Sequence, residues 1–155
     1  MNKILWSPTK EQVESSNLES LRQTMNSKYN LNLLSYLDIH DWSVKNVEQF
    51  WEIVWNDTGI IYSQTFTKVV DDVDKMPGAR WFESSKLNFS ENLLKKKNND
   101  IAIEFYCEDK LSQKISYKEL NCLVSKVSNS FLELGIKPGD RIAAVMPNIP
   151  ETIIC

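Results

Sequence analysis

Glycine is scarce in this chain. The four glycines in 155 residues stand at 59, 78, 135 and 139, and none sits in a cluster that wraps phosphates with successive backbone N–H groups. Histidine occurs once, as His40, whereas a metal site takes three or four ligands. Beside Asp38 and Asp41, His40 reads as a surface or capping residue near a helix end. The three cysteines, Cys107, Cys122 and Cys155, have the spacing of neither a zinc site nor a redox pair, and an odd count argues against a secreted disulfide framework. No apolar run approaches the ~20 residues that span a bilayer. Pro8 interrupts the N-terminus before a signal-peptide core can form. These absences predict a cytoplasmic protein with reduced thiols. An excess of one charge is missing too: 18 Lys and Arg face 21 Asp and Glu, a net charge of −3, which offers no basic face to nucleic acid.

What is present is an ordinary globular composition, 42% hydrophobic and 25% charged, in a chain long enough for one domain or the opening part of a larger one. Five Trp, five Tyr and six Phe predict large packed surfaces. Ser7 as N-cap with Pro8 at the first helical position predicts a surface helix over about residues 9–27, with Val13, Leu21 and Met25 on one face. Leu31, Leu34 and Leu37 suggest a short helix within 29–39. Ser43 is expected to cap the clearest helix of the first half, whose buried stripe is Val47, Phe50, Trp51, Val54 and Trp55, ended by Gly59.

The middle is less regular. Residues 64–70 alternate weakly, as a strand would; Asp71, Asp72 and Asp74 suit a solvated loop; Met76-Pro77-Gly78 is a turn signal. Trp81-Phe82 and Leu87-Asn88-Phe89 lack a clean period and predict irregular chain pinned by aromatics, followed by a short helix over about 90–95. Polar residues 95–100 mark an expected boundary, with an extension over 1–97 and a new domain from 98.

From there strands alternate with helices. A strand over 101–107, a turn at 108–110 and a return strand around Lys114 and Ile115 lead into Ser116-Tyr117-Lys118-Glu119, a capping box. The helix it opens should bury Leu120, Leu123, Val124, Val127, Phe131 and Leu134 and stop at Gly135. Residues 141–146 read as a strand buried on both faces, as in a parallel sheet. Asn148 or Ile149 then precedes Pro150 at the start of another helix. That helix is too short to be stable alone, so the chain reads as unfinished at Cys155.

Three segments in order, Ser116-Tyr117-Lys118-Glu119-Leu120, Leu134-Gly135-Ile136-Lys137-Pro138-Gly139-Asp140-Arg141 and Met146-Pro147-Asn148-Ile149-Pro150-Glu151, resemble the opening of adenylate-forming acyl-CoA synthetases. Phe50-Trp51, Trp81-Phe82 and Leu87-Asn88 are similar to the N-terminal extension of the acetyl-CoA synthetase type. Met76-Pro77-Gly78-Ala79-Arg80-Trp81-Phe82 and Leu87-Asn88-Phe89-Ser90-Glu91-Asn92-Leu93-Leu94 look like the acetoacetyl-CoA synthetase branch, as do Leu5-Trp6 with Pro8 and Trp42-Ser43-Val44. The resemblance implies an α/β fold: a helical extension, then the first strands and helices of a truncated AMP-binding domain. It implies a parent reaction joining acetoacetate to coenzyme A with ATP and magnesium, releasing AMP and diphosphate. It also implies that the family's phosphate loop, adenine and magnesium segment, ribose-binding aspartate and C-terminal lysine lie beyond the position of Cys155.

Accordingly no catalytic, cofactor-binding or metal-binding residue is assigned, and the fragment alone is expected to be inactive. Its partner would be the remainder of the ligase, in the same chain or in a second polypeptide, with no nucleic acid and no membrane. The rival reading is a non-catalytic interaction module or one half of a split synthetase. The Phe50 to Trp55 stripe is expected to be core that packs the extension onto the main domain, the lysines at 95–97 a solvated run, and Arg80 and Arg141 structural ion-pairing or stacking residues.

Overall fold

The computed structural model describes residues 4–108 and 112–155. The part of the expected turn formed by Asp109 and Lys110 lies outside them. The backbone packs as two units, Met1–Asn88 and Phe89–Cys155.

The first unit opens with α1 (Lys10–Glu14) and α2 (Asn17–Tyr29), where one helix was expected. The start is Thr9, not Ser7: its hydroxyl accepts from Gln12 N while Gln12 Oε1 accepts from Thr9 N, a reciprocal cap. The break comes at Ser16, whose hydroxyl donates to Val13 O at 2.7 Å and accepts from Glu19 N at 3.1 Å. One side chain thus closes the first helix and opens the second.

The helix expected within 29–39 is displaced towards α3 (Tyr36–Lys45). Asn30 takes a left-handed conformation, φ 52°, which ends α2, and Ser35 with Asp38 forms the capping box of the next helix. Ser43 is inside α3, its hydroxyl turned back to His40 O. The N-cap of α4 (Val47–Asp57) is therefore Asn46.

α4 organises the unit because it is buried on two sides. Phe50 and Ile53 join Met25, Leu33 and Ile39 in the helical core, where Met25 and Ile53 are 0% and 1% exposed. Trp55 faces an aromatic group instead, with ring centres 4.7 Å from Phe82, 5.3 Å from Phe66 and 5.6 Å from Tyr62. Trp51, assigned to the buried stripe by its spacing, stays partly exposed and meets Trp81 edge-on at 5.8 Å.

Strands β1 (Lys68–Val70) and β2 (Trp81–Glu83) form an antiparallel pair with Lys68 opposite Glu83 and Val70 opposite Trp81. The strand expected over 64–70 is shorter, with Gln64 making only an isolated bridge to Lys86. The segment expected to be irregular supplies β2. Phe82 and Ser84 have positive φ, 50° and 68°, and this local twist hides the period-two signal. Asp71 is not merely solvated: its carboxylate accepts from Arg80 N at 2.7 Å and pairs with the Arg80 guanidinium at 3.2 Å, pinning the base of the loop.

The second unit begins with α5 (Phe89–Leu93) and an antiparallel hairpin of β3 (Ile101–Tyr106) and β4 (Ser112–Ser116), which places Ile103 opposite Ile115. Ser116 ends β4 and caps α6 (Tyr117–Glu133) through its hydroxyl, which accepts from Glu119 N at 3.2 Å. Gly135, φ 81°, ends that helix, with Ile136 N returning to Phe131 O at 3.0 Å. A left-handed residue at this place is what glycine tolerates best. Of the stripe expected to be buried on α6, Leu120 is buried, Leu123, Val124, Val127 and Phe131 are half-buried, and Leu134 is exposed. Pro150 starts α7 (Pro150–Ile154), with Ile149 as N-cap.

One expectation fails here. Residues 141–146 form no strand and are unpaired, with Ile142 55% exposed and Val145 fully exposed. A strand exists only through a neighbour's hydrogen bonds, and among the described residues none pairs with this segment.

Candidate functional site

The residues singled out by sequence do not converge. His40 is exposed on α3, 3.4 Å from Asp41 Oδ1 and 6.3 Å between ring centres from Tyr36. Asp38 belongs to the helix cap: bonds from Leu34 N and from Ser35 hold its carboxyl below the usual range. Among the described residues no group of three or more His, Cys, Asp or Glu is placed to hold a metal ion. In the lysine run, Lys96 pairs with Asp100 at 2.6 Å and lies 4.8 Å over the Tyr117 ring. Arg80 bridges Asp71 and Glu83, and Arg141 is exposed at the start of the unpaired segment. All three cysteines are free and exposed.

What the structure offers instead is concave, largely apolar surface in each unit. In the first, a groove of about 420 Å³ runs past Val13 and Leu18 to Leu34, Tyr36 and Ile39. Its floor includes an ion pair that sequence reading missed, although Glu19 and Arg22 at i and i+3 on a helix are its signal. The Arg22 guanidinium takes both oxygens of Glu19 and reaches Leu33 O. That pair, with Gln23, lowers the Glu19 carboxyl from 4.5 to about 2. A carboxyl depressed on folding stabilises the folded chain above its unfolded value and loses that contribution as pH falls through the folded one. Between pH ~6 and pH ~3, wild type is therefore expected to lose more stability than Glu19→Gln in urea titrations. Equal losses would show that the pair does not survive in solution.

In the second unit, Phe131 of α6 and Thr152 and Cys155 by α7 enclose about 420 Å³ together with Ile142, Ala144 and Met146. A smaller pocket of about 130 Å³ lies among Leu93, Leu94, Leu120, Val124 and Ile153. Apolar concave surfaces of this kind are where a protein or a small molecule can be bound.

Residues 36–93 match the family model described as acetyl-coenzyme A synthetase N-terminus, and residues 89–155 match the AMP-binding enzyme model. The chain is 39% identical over 149 residues to an acetoacetyl-coenzyme A synthetase of Rhizobium meliloti, covering 96% of this chain and 23% of that one. It is 32% identical over 158 residues to a malonamoyl-CoA synthetase of Penicillium aethiopicum, covering 97% and 22%. The solved acetoacetyl-CoA synthetase from Streptomyces lividans superposes with a TM-score of 0.78 at 25% identity, over 99% of this chain and 24% of that one. The chain thus spans about a quarter of the length of the relatives it matches. No described helix is long and apolar enough to cross a membrane. An acetyl-CoA synthetase-type N-terminus leading into an AMP-binding enzyme, in this order and on this fold, makes the chain a member of that family, corresponding to the N-terminal quarter of acetoacetyl-CoA synthetases.

Proposed function

We propose that this chain is the N-terminal part of a cytoplasmic, ATP-dependent acid–CoA ligase whose acid is acetoacetate. The complete reaction is acetoacetate, ATP and coenzyme A to acetoacetyl-CoA, AMP and diphosphate. The observation that carries this reading is the match to acetoacetyl-CoA synthetases along 96% of the chain. In this reading residues 1–97 are the extension and 98–155 begin the AMP-binding domain.

In this reading nucleotide, magnesium and coenzyme A are held by the rest of the ligase. The glycines of this chain are dispersed, and among the described residues no cluster of acidic side chains converges. No step of the reaction is therefore assigned to the residues of this chain. What the chain supplies is scaffold: the two-sided packing of α4 and the hairpin that leads into α6. The choice of acid rests on the rest of the ligase, since a malonamoyl-CoA synthetase matches this quarter at 32%.

The test joins this chain to the Rhizobium meliloti enzyme in place of that enzyme's matching N-terminal quarter. AMP formation that depends on ATP, coenzyme A and acetoacetate is expected of the fused protein. The isolated chain is expected to form none. A folded, soluble fusion without activity would sink the ligase reading; activity of the isolated chain would overturn its role as scaffold.

A further inference from the structure

Three large apolar side chains in a row, Ile4, Leu5 and Trp6, lead into α1, and all three are exposed, Leu5 at 93%. A continuous apolar arm in water is a cost that burial against a partner removes. The same unit carries an open apolar groove. Pro8 stands on its wall, and Val13, Leu18, Leu34, Tyr36 and Ile39 line much of the rest. Leu34 and Tyr36 are exposed there, Leu34 at 73%. Glu19 and Arg22 neutralise each other at the floor, so what the groove offers a ligand is chiefly apolar surface.

The arm does not fill the groove of its own chain: Leu5 and Trp6 are exposed and are not among the lining residues. The backbone between them explains this. Proline fixes φ near about −65° and drives the residue before it, here Ser7, towards extended backbone. Thr9 is extended as well, with φ −72° and ψ 161°, and its reciprocal cap with Gln12 locks it. Three stiff, extended residues leave no turn by which Trp6 could fold back past Pro8.

We propose that the arm Ile4-Leu5-Trp6 inserts into the groove of a second copy of this chain, each copy giving one arm and taking one. Such an exchange is self-complementary about a two-fold axis. The area suffices: each arm covers roughly 500 Å², and two arms with the two grooves they fill bury about 2,000 Å² in total, the size of a stable interface. Arm and groove both belong to the first unit, so the inference does not depend on the ligase reading.

The experiment follows the mass of this chain by sedimentation equilibrium over a range of concentrations. A reversible monomer–dimer equilibrium is expected. Trp6→Glu on the arm and Leu34→Glu in the groove are each expected to weaken it at least about tenfold, because each places an unpaired charge in the apolar contact. Trp6→Phe should associate like wild type. Both altered side chains are exposed, so both variants should unfold like wild type when followed by circular dichroism. The two charged variants mixed in equal amounts are expected to associate more tightly than either alone, since the intact arm of one meets the intact groove of the other. A monomer at every concentration overturns the proposal. So does self-association that neither variant weakens, or a mixture that binds no better than its components. A monomer that Trp6→Glu destabilises would place the arm in its own groove and overturns the exchange as well.

Discussion

Trp55→Ala is expected to lower the unfolding free energy by about 3–5 kcal/mol, the range for deleting a buried aromatic. Trp55 is 6% exposed and touches three rings, Phe82, Phe66 and Tyr62. Beyond the lost apolar area, alanine there leaves Phe66 and Phe82 without the partner that holds α4 to the β1–β2 pair. Trp55→Phe retains part of this contact and should fall between. All five tryptophans, at 6, 42, 51, 55 and 81, lie in the first unit, so urea titration followed by tryptophan fluorescence reads that unit alone. A loss below about 1 kcal/mol would mean that the aromatic group is not packed as described.

Ile53→Ala is expected to cost about 2–5 kcal/mol and Ile53→Val about 0.5–1.5 kcal/mol. The side chain is 1% exposed in the cluster with Met25, Leu33 and Ile39, where the vacated volume has little room to collapse. Ile53 and Trp55 stand two residues apart on α4 but belong to different clusters. Each single variant should therefore move the same fluorescence transition. Two resolved transitions in either variant would show that the helical core and the aromatic group unfold separately, and that α4 does not couple them.

Sequence and structure agree best where signals are local. The helix of Val47 to Asp57, the antiparallel return after Ile101, and the Ser116 and Gly135 punctuation of α6 were all legible, because caps and periodicity act within a few residues. Errors arose where two local signals competed. Ser7 with Pro8 offered a helix start, but Thr9 with Gln12 forms a reciprocal cap and won. Ser43 is a plausible N-cap by type, yet its hydroxyl bonds within α3 to His40 O. Ile53 was missed because a single stripe was assumed, while α4 is covered from two directions. β2 was illegible because Phe82 and Ser84 take positive φ. Residues 141–146 were read by composition as a paired strand, and pairing is a property of the neighbour, which composition does not contain.

The Arg22 contact has a consequence for how this fold tolerates change in chain length. Connections between helices ordinarily absorb insertions and deletions, because they run over the surface and few bonds depend on their span. The connection over residues 30–35 is different. Leu33 N donates to Asn26 Oδ1 at 2.9 Å, and Leu33 O accepts from Asn26 Nδ2 at 3.0 Å and from Arg22 at 2.5 Å. Two side chains of α2 thus act as a gauge that measures out the link before Ser35 begins the next helix. An added or removed residue would carry Leu33 off its gauge and out of the core in one step. Length drift in this unit belongs instead at the tip between Asp71 and Arg80, whose pinned base leaves the residues beyond it free to vary in number.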